Sequence, residues 1–215
     1  MNYIIYHPIR CCTKVKRIGN VYHDSFKGNQ DPYIWNEQFL HSFCHITQIE
    51  KKIGQINFWV SRGSNDTYPN FEHLYCDLVF KVTSMHEWAD RNSIPETDRI
   101  VDNKKSYEDH YKWARQHLFK GEKRPKKRIT LKACDKNSFQ PQNEKEGLID
   151  IVPFLINKGI SIEHLRNLIS YNSKGNAAYP SRPFKLEDKL AEELYNFLSK
   201  SKRKLFGKDL KDKHP

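Results

Sequence analysis

Apolar and polar residues alternate most regularly between Gln55 and Val82, QINFWVSRGSNDTYPNFEHLYCDLVFKV. Ile56, Phe58 and Val60 alternate with Asn57, Trp59 and Ser61. After a polar loop, Leu74, Cys76, Leu78, Phe80 and Val82 alternate with His73, Tyr75, Asp77, Val79 and Lys81. A period of two predicts two strands, each with an apolar face and a mixed face. If the apolar sets share a core, the opposite face gathers Asn57, Ser61, His73, Tyr75, Asp77 and Lys81, with Trp59 among them.

Other segments follow the same logic with different periods. Residues 3–9 and 129–134 read as further strands. Asp31 suits an N-cap and Pro32 a first helical position. Trp35, Phe39, Phe43 and Ile46 then recur at helical spacing. Residues 85–103 are polar and mixed, fitting a short helix and a loop. Residues 106–118, SYEDHYKWARQHL, have helical composition and place Tyr107, His110, Tyr111, Ala114, His117 and Leu118 on one side. Pro153 near a helix start, Gly159 as a stop and Ser161 as a cap predict a helical hairpin over 148–172. That outline is shared by helix-turn-helix units and by plain hairpins packed on a sheet. Leu186, Leu190, Leu194 and Phe197 mark a last amphipathic helix of about 14 residues.

The fold class expected from this pattern is α+β: a mixed or antiparallel sheet covered by helices, with a helical C-terminal layer. The expected division is an α+β core over residues 1–147, a helical subdomain over 148–199 and a frayed basic tail over 200–215.

Charge adds a direction. The 215 residues carry a net charge of +11, and its placement is uneven. Residues 1–119 hold 15 Lys and Arg against 14 Asp and Glu, whereas residues 120–215 hold 22 against 12. Such asymmetry favours a polyanionic partner, with nucleic acid ahead of an anionic membrane surface; a solubilising basic surface is the plainer alternative. A protein partner fits the same surface. No apolar run reaches the ~18 residues of a membrane span. The opening MNYIIYHPIR lacks the features of a secretory signal, and the five cysteines form no C-x-x-C pair. Reduced thiols and a cytoplasmic location are therefore expected.

Chemistry enters through four groups of residues. On the mixed strand face, His73, Asp77 and Lys81 are candidate catalytic groups, with His110 and His117 joining them from the 106–118 helix. His73 and Asp77 lie four residues apart on one strand, roughly 13 Å, so they need partners from elsewhere. Ser61 and Arg62, at a strand end, and Lys123, Arg124, Lys126, Lys127 and Arg128, in a basic loop, are candidate phosphate contacts. Glu37, His41 and His45, each four apart on the 32–46 helix, and Asp77 are weak candidate ligands for a divalent metal; a solvated polar face is the commoner reading of the first three. Phosphate-binding glycine loops, dinucleotide fingerprints, nucleophile elbows and paired-histidine zinc motifs are absent from the sequence.

These observations favour a cytosolic nucleic-acid-binding protein with nuclease-like phosphodiester chemistry, a hydrolase in the broad sense. One alternative is a transferase or hydrolase for a nucleotide-like small molecule, in a pocket of Trp59, Tyr75 and the 106–118 helix. Another is a non-catalytic subunit that docks on nucleic acid or protein through its basic half.

Overall fold

The computed structural model describes residues 1–7, 11–15, 19–23, 41–42, 49–63, 65–66, 70–88, 128–133, 136–169 and 183–204. One strand carries most of the architecture. It is β6 (Leu74–Trp88), a 15-residue strand that pairs with β5 (Ile56–Arg62) along one edge. Along its other edge lie, in order, β9 (Ile149–Asp150), a bridge from Val79 to Phe139, and β7 (Arg128–Ala133). Beyond β5 come β1 (Asn2–His7), parallel to it, and β10 (Phe184–Leu186), antiparallel to β1; beyond β7 comes β4 (His41–Ser42). The sheet is therefore mixed, and the described chain is mostly sheet with few helices.

The regular alternation expected of residues 74–82 is broken by a bulge. Trp59 pairs with Leu78 and Val60 with Cys76, so Asp77 is an extra residue with no partner of its own on β5. An extra residue shifts the parity of everything after it. Leu74 and Cys76 face one core and Val79 joins them, whereas Leu78, Phe80 and Val82 face the other. The single apolar face expected for Leu74, Cys76, Leu78, Phe80 and Val82 is thus divided between two cores. A second shift leaves Thr83 as the extra residue opposite β7, where its hydroxyl donates to the Lys132 carbonyl at 3.2 Å.

Both sheet faces are consequently buried. The first core holds Ile4, Tyr6, Ile56, Phe58 and Val60 with residues from three helices: α1 (Val152–Asn157), α2 (Ile162–Ile169) and α3 (Asp188–Ser199). The second holds Tyr3, Ile5, Trp59, Leu78, Phe80, Val82 and Leu131. Trp59, expected among polar groups, is 1% exposed. It therefore cannot line an open pocket.

The helices start and stop where local chemistry directs. Pro153 occupies the first turn of α1, where its missing N–H leaves no unmet donor. Gly159 takes a φ of +83°, the left-handed conformation that ends a helix at little cost for glycine. The Ser161 hydroxyl accepts from the His164 N–H at 3.1 Å and caps α2. α3 buries Ala191, Leu194 and Leu198. Leu186 belongs to β10 instead and Phe197 remains 39% exposed, so the stripe keeps Leu194, with Leu190 partly buried beside it, and is completed by Ala191 and Leu198.

A second layer of strands is fastened to β6 by side-chain amides. β2 (Cys11–Val15) and β3 (Gly19–His23) form a hairpin, and β8 (Gln140–Gln142) pairs with β11 (Lys202–Lys204). Residues 202–204, expected to be frayed, are thus a strand. Gln140 is fully buried. Its Oε1 accepts from the Tyr22 N–H at 2.9 Å, and its Nε2 donates to the carbonyls of Tyr22 at 3.0 Å and Asp77 at 2.7 Å. Gln142 Nε2 donates to the Asn20 carbonyl at 2.9 Å and to Gln140 Oε1 at 3.0 Å. One glutamine therefore joins the hairpin to the bulge.

Replacing Gln140 with Leu keeps the volume and strands the Tyr22 and Asp77 polar groups. The expected cost is on the order of 3 kcal/mol. Urea unfolding should show a lower midpoint at an unchanged slope, whereas a midpoint within error of the parent would contradict the clamp.

Candidate functional site

At the Arg62 end of β5 and the Leu74 end of β6 the chain encloses a cleft of about 790 Å³, lined by Ser61, Arg62, His73 and Tyr75 from this hub. Tyr22, from the hairpin, and Asn143, Gly147 and Leu148, from the β8–β9 turn, complete it. A volume in this range suits a small molecule or one unit of a polymer.

The loop between β5 and β6 is held by one carboxylate. Asp66 Oδ2 accepts from the N–H groups of Gly63, Glu72 and His73 at 3.1, 3.3 and 3.2 Å. Arg62 Nη1 donates to the Asp66 carbonyl at 2.7 Å, which orients the guanidinium. One short polar side chain thereby ties Gly63, Asp66, Glu72 and His73 to one another through the backbone.

A second carboxylate fixes His73. Asp150 Oδ1 accepts from the N–H groups of Leu74 and Val152, each at 3.0 Å, joining β6 to the start of α1. Its Oδ2 lies 2.9 Å from His73 Nδ1. An imidazole held through Nδ1 by a carboxylate presents Nε2 for proton exchange, the arrangement used by general bases. The hydrogen bond to Asp150 raises the His73 pKa above its ordinary value; partial burial opposes this, and the charges of Asp150, Asp66 and Glu72 reinforce it. The His73 ring also stacks on Tyr75, with centroids 5.7 Å apart. Burial, and then the charges of Asp150 and Asp66, push the Tyr75 phenol up, so it stays protonated at neutral pH.

The third wall is placed by a strained residue. Glu146 adopts a φ of 63°, unfavourable for a non-glycine by about 1 kcal/mol or more. Its Oε2 accepts from the Asn20 N–H at 3.0 Å, and its carbonyl accepts from the Tyr22 hydroxyl at 3.2 Å. Gly19 has room only for hydrogen there, because a Cβ would overlap the Glu146 carboxylate. Asn143 Oδ1 closes the turn by accepting from Lys145 and Gly147, both at 2.9 Å. These contacts position the Tyr22 ring at the cleft.

The structure brings Ser61, Arg62 and His73 together and separates them from other candidates. Asp77 is 3% exposed at the bulge and lies outside the residues that line the cleft. Lys81, beyond the bulge, falls on the opposite face, where its Nζ lies 5.5 Å from the Tyr195 ring centre. It lines a different cleft of about 420 Å³ with Asp188 and Tyr195. The expected face of His73, Asp77 and Lys81 is therefore not a continuous surface, and the physical reason is the parity change at Asp77. His41 pairs with Lys132 as part of β4, so a helical Glu37, His41 and His45 stripe does not run through it. Glu37, His45, His110, His117, Lys123, Arg124, Lys126 and Lys127 lie outside the described residues. Arg128 opens β7 opposite Trp88. Among the described residues no group of three or more His, Cys, Asp or Glu side chains is arranged to hold a metal.

Asp66, Asp150 and Tyr22 escaped the sequence reading. A faint signal exists for the first two: Asn65 and Asp66 follow Gly63 in a turn-forming composition, and Asp150 precedes a proline-opened helix. Compared with protein-family models, curated proteins and solved structures, the chain matches none. No helix among the described residues is long and apolar enough to cross a membrane.

Asp150→Asn retains an acceptor for Leu74 and Val152 and removes the charge beside His73. The His73 pKa, followed by NMR of its ring protons, should fall toward its ordinary 6.5. Because the folded-state value is raised, the ion pair stabilises most below the unfolded value. That contribution is lost as pH rises through the folded one. The stability gap between parent and variant should therefore narrow from pH 5 to pH 8, and an unchanged His73 titration would refute the pairing.

Proposed function

We propose that this protein binds nucleic acid and acts on its phosphodiester backbone at the 61–75 cleft, as a nuclease-like enzyme working in a reducing, cytosolic compartment. The observation that carries the proposal is the His73–Asp150 pair, at 2.9 Å, in a cleft that also presents the Arg62 guanidinium. In this reading His73 Nε2 accepts the proton of the attacking hydroxyl or water as the new P–O bond forms, and Asp150 stabilises the imidazolium that results. The ester P–O bond opposite breaks, the departing oxygen takes a proton from water, and the imidazolium returns its proton to solvent. Arg62 offsets the charge that develops on the phosphate oxygens, and Ser61 donates beside it. Affinity comes from the basic second half, whose excess of cations would neutralise backbone phosphates without reading sequence. Among the described residues Cys11, Cys12 and Cys76 form no disulfide, which supports a reducing compartment.

Glu72 and Asp66 line the cleft. Of the carboxylates here, Asp66 and the His73 partner Asp150 oppose an anionic ligand less strongly than their charge suggests, while Glu72 adds its full negative charge. Asp66 has three backbone N–H donors on one oxygen, and Asp150 has two on one oxygen with His73 on the other. Their charge is largely answered within the protein.

Binding of single-stranded and duplex oligonucleotides should weaken steeply between about 50 and 200 mM salt. Arg62→Gln should lower the salt slope by about one. His73→Gln should retain binding and slow backbone cleavage by about 10²–10⁴-fold. Absence of salt-dependent retention at low ionic strength would sink the reading, and equal cleavage by parent and His73→Gln would remove His73 from it.

A further inference from the structure

We propose that the cleft accommodates a single unstacked nucleotide, with its phosphate on Arg62 and its base set among Tyr22, Tyr75 and the asparagine amides. This inference rests on the nucleic-acid reading above and adds what the site itself recognises.

Charge limits what the cleft can hold. A groove that tracks a strand needs a row of cations at the spacing of successive phosphates. Among the described residues lining this cleft, Arg62 is the one permanent cation, with His73 a second when protonated. Set against the Asp66 and Glu72 carboxylates that line the same cleft, that inventory answers no more than one phosphate and leaves the backbone on either side to be held elsewhere.

The remainder of the lining has the chemistry of base recognition. Tyr22 and Tyr75 supply aromatic surface, and every base has a π-face to lay against it. The Tyr22 hydroxyl is committed to the Glu146 carbonyl, so the hydrogen-bond capacity of that residue is used outside the cleft and its ring is fixed. Gly63 lies behind Tyr75, where an added Cβ would meet the ring edge at 3.4 Å and Asp66 at 3.2 Å. The strand end and the ring are thereby closely apposed. Asn65, Asn70 and Asn143 line the same space. A side-chain amide pairs one donor with one acceptor in a plane, which matches the edge of a base. Asn143 Oδ1 is occupied by Lys145 and Gly147, so this residue offers its NH₂ group. A cavity of about 790 Å³ with one permanent cation, two tyrosines, three amides and the Asp66 and Glu72 carboxylates has room for a base, sugar and phosphate taken together, with the phosphate placed on the Arg62 side. In a nucleic acid that unit is reached only after unstacking, as in enzymes that draw one nucleotide out of a strand.

The test uses the full chain and free ligands, with calorimetry at 50 and 300 mM salt. The four nucleoside 5′-monophosphates are compared with ribose 5-phosphate, which lacks a base. At least one nucleotide should bind saturably with one-to-one stoichiometry and at least tenfold more tightly than ribose 5-phosphate. Its preference should persist at the higher salt. Tyr75→Leu should reduce that ratio to under threefold while ribose 5-phosphate binds as before, and Arg62→Gln should weaken both ligands alike. Asn70→Ala, at an exposed position, should change which base is preferred while leaving the melting temperature unmoved. Nucleotides that bind no better than ribose 5-phosphate, on a protein that still retains oligonucleotides, would overturn the single-nucleotide site and leave the nucleic-acid reading intact. Loss of nucleotide and oligonucleotide binding together would overturn both.

Discussion

The extra residue at Asp77 is the constraint on which the rest of the structure depends. Before it, β6 gives Leu74 and Cys76 to the helix-covered core; after it, Leu78, Phe80 and Val82 turn to the other. A strand with strict alternation would bury one face and leave the other to solvent. The bulge lets a single long strand supply both cores of a sheet that is buried on either side. It also frees a carbonyl, that of Asp77, for a bond outside the ladder, and Gln140 takes it. The hairpin that forms one wall of the cleft is attached at that point.

Polar side chains then do locally what strands do globally. Gln140 joins β3 to β6, Asp66 closes the β5–β6 loop on its own backbone, and Asp150 ties β6 to α1 while holding His73. Each is a side chain with more than one acceptor or donor that satisfies several backbone groups at once. Backbone groups near a cleft cannot be left unmet without cost, and strands end there, so side chains must complete the pairing. The same contacts that make the cleft rigid also set the direction of Arg62 and the tautomer-fixing bond of His73. Rigidity of this kind is what lets a few residues act on a bound group without first reorganising.

Much of the frame is legible in residue order. Residues 3–9, 55–61, 73–82 and 129–134 read as strands because their periods are short and apolar-rich, and their described parts fall in β1, β5, β6 and β7, neighbours in the sheet. The α1–α2 hairpin is readable because Pro153, Gly159 and Ser161 act through local backbone geometry that needs no distant partner. The site was less legible. Ser61, Arg62 and His73 stood out by residue type, but the face that was to unite His73 with Asp77 and Lys81 does not exist. Alternation in sequence continues unbroken through Asp77, because Leu74 and Cys76 before it and Leu78, Phe80 and Val82 after it are all apolar. Nothing in the order of residues shows which of them turn to which core.

The sequence by itself determined the strands of the hub, the caps of the hairpin and the uneven charge, all of which follow from neighbouring residues or from simple counting. Only the tertiary structure decided that Asp77 is skipped in the ladder, that Lys81 faces α3, and that Asp150, 77 residues along the chain, meets His73. Those outcomes depend on pairing between distant segments. A strand's register is set by what lies on its flanks and by the cores it must fill, and neither is written in its own alternation.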